Sequence, residues 1–316
     1  VAARDFSAWQ PIFWDDQIVG RAFQPSAIME HAGRTIQMKS IQYDVPRYAD
    51  SAVGGGSQLT EGTSNGDVKP IYDYQFNGKE TLDEAQLEDS PADTLTAVSY
   101  EWLNSLHIAY DNASIGVTGA RSTTVSDYRP YNSIYYTLTQ ADSTVGYSAN
   151  ANLLKGTLST SGYTNLNNAL GLVENTKFYD MQNAVAILHP SLRQRLRGIL
   201  DGNQRPIFVE SSNGTAGGGV RPQYELFGTP VAWSFGAVTT SGGYTGNVGG
   251  TSAAWHPLVV FANRRHLVRG VRIEPQAQFI NANINLNALE HTVQHRARLG
   301  FTLTVPQSAS ILEVTD

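Results

Sequence analysis

Cysteine is absent from all 316 residues, which excludes disulfides, thiolate nucleophiles and cysteine-based metal sites. Charge is sparse as well: 16% of the chain is Asp, Glu, Lys or Arg, against roughly 25% in ordinary globular domains. So few charged side chains on a chain this size fit a surface largely covered by neighbouring copies. A Ser/Thr/Asn/Gln-rich secreted β-protein would have the same composition. Lysine is the scarcest cation, 5 residues against 17 arginines, and the forked guanidinium is favoured at interfaces. With a net charge of −6 there is no global basic footprint of a dedicated nucleic-acid binder. No apolar run reaches the about 18 residues that a spanning helix needs, and the first residues lack the order of a signal peptide. A membrane partner is therefore not expected. The chain starts at Val1, a start that methionine removal or cleavage of a longer precursor would both leave.

Hydrophobic residues make up 41% of the chain, enough for a substantial core in one or two domains. Residues 1–32 scatter aromatics (Phe6, Trp9, Phe13, Trp14, Phe23) without a regular face, as suits an arm laid on another surface. From Thr35 the chain reads as strand. Ile36 and Met38 alternate, then Ile41, Tyr43 and Val45 continue out of phase, which predicts a β-bulge. Residues 46–82 read as a long hairpin. Gly54-Gly55-Gly56 loosens the outgoing arm, Asn65-Gly66 offers a type I′ turn, and Tyr72, Tyr74 and Phe76 form an aromatic stripe on the return. Such a two-stranded ribbon is marginal alone and needs cover. Ser90-Pro91-Ala92-Asp93 then predicts a helix start. An apolar stripe follows at Leu95, Val98, Trp102, Leu106 and Ala109, with the end marked by Asp111-Asn112 and Gly116.

The search for chemistry yields no catalytic constellation, and neither a cofactor nor a metal is expected. His291 and His295 are spaced for a helical metal pair but lie in a β-like stretch, and no Glu follows the first in the zincin manner. The glycine-rich stretches 214–219 and 242–250 lack the strand-then-helix setting and the Gly-Lys-Ser/Thr end of a phosphate loop. The acidic run Glu80, Asp83, Glu84, Glu88, Asp89 lacks the calcium-loop pattern. No serine stands in a nucleophile elbow.

Farther along, the order of signals becomes specific. A helical stretch from Asn165 to Phe178 precedes the buried-strand run Ala184-Val185-Ala186-Ile187-Leu188. His189-Pro190-Ser191 opens a basic helix, Leu192 to Leu200, closed by Asp201-Gly202. Then come Leu226-Phe227-Gly228-Thr229-Pro230-Val231, an apolar strand from Pro257 to Ala262, a basic stretch from Arg264 to Arg272, and Arg298-Leu299-Gly300-Phe301 running into Val305-Pro306. This succession resembles the major capsid proteins of tailed bacteriophages, which share the Hong Kong 97 fold.

The resemblance implies an α+β capsid fold in seven segments. These are an N-terminal arm (1–32), a peripheral-domain strand (33–45), an extended β-hairpin loop (46–82), a peripheral domain with a long spine helix (83–120), an axial domain (121–287), a second peripheral strand (288–306) and a C-terminal segment (307–316). It implies no enzyme but a homo-oligomer. Hexamers and pentamers would close into a virion shell around double-stranded DNA, with a portal protein and possible scaffolding, protease or cement proteins as partners and assembly in the host cytoplasm. Inter-subunit contacts are expected at Trp9, Trp14, Asn65, Gly66, Lys69, Tyr72, Tyr74, Phe76, Arg264, Arg265 and Arg269. Arg193, Arg195 and Arg197 join them as candidate partners for Glu80, Asp83 and Glu84 of a neighbour. Some relatives link a hairpin lysine to a neighbour's asparagine. Lys69 or Lys79 would be the donor here, although non-covalent packing is the expected arrangement. The same fold serves encapsulin compartments, and a β-rich extracellular binding domain is the rival outside the fold.

Overall fold

The structure is a computed structural model that describes residues 25–48, 66–83, 94–122, 129–211, 223–241, 255–280 and 290–316. Trp9 and Trp14 of the expected arm, Asn65, the Ser90-Pro91-Ala92-Asp93 helix start, Glu84, Glu88, Asp89 and both glycine-rich stretches lie outside the described residues. The first half of the chain contains α1 (Ala27–His31), β1 (Arg34–Gln37), β2 (Gln42–Tyr48), β3 (Gly66–Asp83), the long helix α2 (Thr94–Ile115) and α3 (Ile134–Thr139). Then follow β4 (Leu153–Gly156), α4 (Gly162–Glu174), β5 (Ala184–Leu188), α5 (Arg193–Arg197), β6 (Phe208–Ser211), β7 (Gln223–Leu226) and β8 (Thr229–Trp233). Strands β9 (Leu258–Asn263), β10 (Leu267–Ile280), β11 (Glu290–Leu303) and β12 (Ala309–Val314) complete the described chain.

Among the described residues the strands form two sheets. One has seven strands in the order β4-β12-β9-β5-β8-β7-β6, the other five in the order β1-β10-β11-β3-β2. The seven-stranded sheet is buried on both faces at its centre, which is why β5 and β9 read as unbroken apolar runs rather than alternating ones. Val185 and Ile187 of β5, with Val260 of β9, face a core built on α2 and α3 through Leu106, Tyr110, Ile134 and Leu138. The alternate residues Ala186, Leu188, Val259 and Phe261 face a second core under α4 and α5 with Leu166, Leu170 and Leu196. Phe227 and Gly228 join β7 to β8 with successive φ of 51° and 75°, a left-handed pair that a two-residue hairpin turn demands and glycine supplies without strain.

Two expected boundaries move. The span 121–287 is divided, because β10 pairs antiparallel with β11 in the five-stranded sheet. Residues 307–316 are not an appended tail: β12 lies between β4 and β9 with every residue buried. The first change comes from the pairing of two consecutive strands, the second from the pairing of β12 with the distant β4.

The phase slip after Met38 is not a bulge. β1 pairs with β10 at one edge of the five-stranded sheet, and β2 pairs with β3 at the other. Residues 38–41 cross between them, tied at each end by Met38 N–H to Val271 O (2.7 Å) and Asp73 N–H to Ile41 O (2.9 Å). Beneath the crossing, Gly270 and Gly300 are register partners. A methyl built on Gly270 would lie 2.4 Å from Met38 Sδ, and one on Gly300 would lie 2.7 Å from Ile71 Cγ2 and 2.8 Å from Tyr72 O. The sheet is bare where the chain passes over it.

Helix α2 continues through Asp111 and Asn112 to Ile115, so those two residues belong to its last turns rather than ending it. Of its stripe, Leu106 and Ala109 are buried while Leu95, Val98 and Trp102 are half-buried. The Trp102 ring stacks on His295 at 5.0 Å between centroids. His295 also lies 3.1 Å from Ser99 Oγ.

Gly270→Ala is expected to cost about 1–3 kcal/mol, the usual range for overpacking. Most of that loss should disappear in a Met38→Ala background, because the flexible thioether is the group in the way. A four-variant unfolding cycle in urea reads the coupling; strictly additive losses would show that Met38 does not exclude the methyl.

Candidate assembly interface

The paired ribbon of β2 with Gly66–Tyr72 of β3 carries the groups that look outward for a partner. Tyr48 is in register with Gly66. Gly66 therefore begins a paired strand, while Asn65 lies outside the described residues. Apolar side chains stay exposed on the ribbon and at its root: Ile41 at 61%, Val68 at 53% and Tyr43 at 37%. Tyr43 and Val68 occupy opposite faces by strand alternation. An edge strand with uncovered apolar side chains is a hazard for a lone molecule and an asset for one that is covered by another copy.

The ribbon's angle is set by a charged cluster around the Arg47–Asp67 register pair near its far end. Arg47 is buried and holds both oxygens of Asp67, one through Nε and the other through Nη2 at 2.6 Å. Nη2 also reaches Asp142 at 2.8 Å, and Nη1 donates to the Thr304 carbonyl at 3.0 Å. Lys69 closes the cluster 3.0 Å from Asp142, and the Thr144 hydroxyl donates to Asp67 at 3.2 Å. One guanidinium thus joins β2, β3, the turn after α3 and the end of β11. Hydrogen bonding to Arg47 holds the Asp67 carboxyl below its usual range. Burial would push Asp142 up, but Lys69 and Arg47 outweigh it and the net shift is downward.

A second clamp fixes the chain where it enters the body from its first residues. Asp111 is buried on α2 and accepts from Ser26 Oγ (2.5 Å), Ala27 N–H (2.8 Å), Ile28 N–H (3.2 Å) and Ser234 Oγ (2.6 Å). Burial raises its pKa, and the four hydrogen bonds oppose the rise. Neither Arg47 nor Asp111 carries a motif. Their partners are 20 to 257 residues away for Arg47 and 83 to 123 away for Asp111, so local sequence gave no sign of them.

The other expected contact residues spread over several environments. Tyr74 and Phe76 turn toward their own chain: their rings meet edge to face at 5.1 Å, and Phe76 meets Tyr110 at 6.3 Å. With Trp102, Leu106, Ala109 and Pro130 they line a cleft of about 250 Å³ between β3 and α2. Tyr72 is half-buried under the Arg121 guanidinium, 3.7 Å from its ring centroid. Several arginines assigned to a neighbour's acids have partners within the chain. Arg269 pairs with Glu274 at 3.2 Å, Arg265 with Asp180 at 3.7 Å and Arg195 with Asp316 at 3.1 Å, while Arg193 lies 4.6 Å from the Tyr224 ring centroid. The Arg264 carbonyl accepts from Gly33 N–H at 2.8 Å. Arg269, Arg265 and Arg195 thus each have an acid of the same chain within reach.

No family model and no curated protein matches the chain. Solved structures match it along its whole length. The capsid of the native GTA particle aligns with a TM-score of 0.66 at 13% identity, covering 100% of both chains. A structure from Mycobacterium phage Ogopogo gives 0.66 at 13% identity over 99% of this chain and 100% of its own. The capsid structure of the cyanophage P-SCSP1u gives 0.65 at 12% identity over 99% and 95%. The chain therefore has the mixed α/β fold of phage-type capsid subunits, and an unrelated β-rich binding domain is not its architecture.

Asp67 and Asp142 have folded pKa values below the unfolded value of 3.8. Their contribution to stability is present above that value and is lost as pH falls through the lower folded values. Wild-type melting temperature should consequently drop between about pH 5 and pH 3, with a smaller drop in Arg47→Met. At neutral pH the same substitution should cost about 3–5 kcal/mol, because it strands buried carboxylate charge. An unchanged acid limb in Arg47→Met would show that the cluster does not govern it.

Proposed function

We propose that this protein is a major capsid protein whose activity is self-assembly, forming the shell around a packaged double-stranded DNA genome. The observation that carries the reading is the end-to-end match of its fold to capsid subunits, with nothing large left over on either side. A fold alone does not name a function, but the exposed apolar residues of the β2–β3 ribbon supply an independent reason for a covering copy.

In Hong Kong 97 terms, α2 is the spine helix and the five-stranded sheet the body of the peripheral domain. The seven-stranded sheet is the axial domain, and the β2–β3 ribbon roots the extended loop. Trp9, Trp14, Asn65, Gly66, Lys69 and Tyr72 remain candidates for contact with a neighbour; Tyr74 and Phe76 contribute through the cleft they line rather than as free aromatics. Hexamers and pentamers of one chain would close the lattice, with a portal protein at one vertex and assembly in the host cytoplasm. Covering the ribbon links folding to association.

Purified protein should form rings or closed particles visible by negative-stain electron microscopy. Ile41→Ser with Val68→Ser should reduce particle yield several-fold while leaving the subunit's melting temperature nearly unchanged, since both side chains are exposed in the single chain. A concentration-independent wild-type monomer would sink the reading.

A further inference from the structure

The outer face of the five-stranded sheet has a composition that neither the shell contacts nor the core accounts for. Strands β3, β11 and β10 place three rows side by side. The first is Lys79, Gln294 and Gln278, the second Asn77, Arg296 and Gln276, and the third Gln75, Arg298 and Ile273. Lys79, Asn77, Gln75, Gln294, Arg296, Gln276 and Gln278 are all exposed. These rows contain amides and cations, one aliphatic residue and no carboxylate. The next carboxylates in register on this face are at the Asp83–Glu290 pair, and at Asp73 in the row below, which is buried and already bound to Arg272 (2.9 Å) and Arg298 (2.8 Å). On a chain of net charge −6 this is an island of positive sign. A depression of about 430 Å³ opens on it, lined by Gln75, Asn77, Lys79, Gln278, Gln294 and Arg296 among others.

The chemistry narrows what could lie there. Stable protein interfaces are built around aromatic or aliphatic anchors that bury apolar area, and these rows offer only Ile273. Single-stranded nucleic acid is held by stacking bases on aromatic side chains, and the rows contain none. What remains is a polyanion presenting oxygens to a broad, polar, cationic surface. Lysine and arginine supply the charge, and Gln and Asn amides donate to phosphate and sugar oxygens, which is how backbone contacts to duplex DNA are made.

We propose that this amide-and-cation sheet face, centred on Arg296 and Lys79, is the protein's contact surface for the phosphate backbone of double-stranded DNA, without sequence preference. The inference rests on the container reading above. Few cations per subunit keep each contact weak and salt-sensitive. Repetition over a shell makes the sum matter while leaving the DNA able to slide.

The test measures binding of a random-sequence duplex to the full-length protein by fluorescence anisotropy over a salt series. Lys79→Gln with Arg296→Gln leaves the Asp73 ion pairs intact. It is expected to weaken binding about tenfold near 100 mM salt and to lower the salt slope by about 1.8, two phosphates at about 0.9 each. Lys177→Gln with Arg205→Gln removes the same charge from the other sheet's side and should change neither quantity. An unchanged slope in the face variant, or an equal loss in the control pair, would overturn the assignment. So would displacement of the duplex by polyglutamate as effectively as by unlabelled DNA at equal charge, which would point to an acidic protein instead. Electron microscopy of the same preparations separates the two readings. Particles with unaltered DNA binding in the face variant would defeat the face alone. A selective loss of DNA binding in protein that never forms particles would defeat the container reading and leave the face standing.

Discussion

The β2–β3 ribbon is held to the body by one buried guanidinium. Arg47 satisfies Asp67, Asp142 and the Thr304 carbonyl at once, and in doing so gathers β2, β3, the turn after α3 and the end of β11. A guanidinium is suited to this because its donors are fixed in a plane and its charge cannot be removed. Buried ion pairs contribute little net stability, since desolvation offsets most of the attraction. Their value is geometric: any rotation of the ribbon away from the body would strand charge in a poorly solvated place. The cluster therefore specifies the angle of the β2–β3 ribbon more than it strengthens the fold.

The rest of the architecture is compatible with that fixed ribbon because the two sheets share one interior. Tyr110 and Tyr131 donate to the carbonyls of Gly300 and Leu299, at 2.9 and 2.6 Å, so α2 and the segment before α3 are bonded to β11 at the level where the chain crosses the sheet. Burial raises both phenols well above their ordinary pKa, which keeps them neutral donors at any physiological pH. On the other side of α2, Asp111 draws in α1 and Ser234. The helix is bolted to both sheets, and a load applied to the ribbon passes through Arg47 and β11 into a rigid body.

Legibility in the sequence followed the range of the interaction. The run Ala184–Leu188 and the stripe on α2 are local patterns, and they became a strand and a helix, while the basic helix expected over Leu192 to Leu200 is the shorter α5, Arg193–Arg197. Most of what stayed hidden depends on partners far away in the chain. The slip between Met38 and Ile41 looked like a bulge because period-two alternation records only which face a residue takes, not which edge of the sheet the strand joins. β10 looked like part of the preceding domain because its pairing with β11 leaves no mark other than two ordinary strands. Arg47 and Asp142 were ordinary polar residues until the fold placed them 2.8 Å apart.

The candidate contact residues show the same limit with a further consequence for charge. Arginine richness was read as inter-subunit bonding, yet Arg193, Arg195, Arg265, Arg269, Arg272 and Arg298 all find acids or a ring within the chain. Part of the charge of the basic segments is thereby paired within the chain. The cations left facing solvent beside amides alone, Lys79 and Arg296, sit where no sequence cluster would have drawn attention, because strand alternation and cross-strand register assemble them from residues far apart. Where several neighbouring cations are paired within the chain, the few others on one flat face decide the sign of that face. In a protein of net negative charge that sign is a property of placement and not of composition.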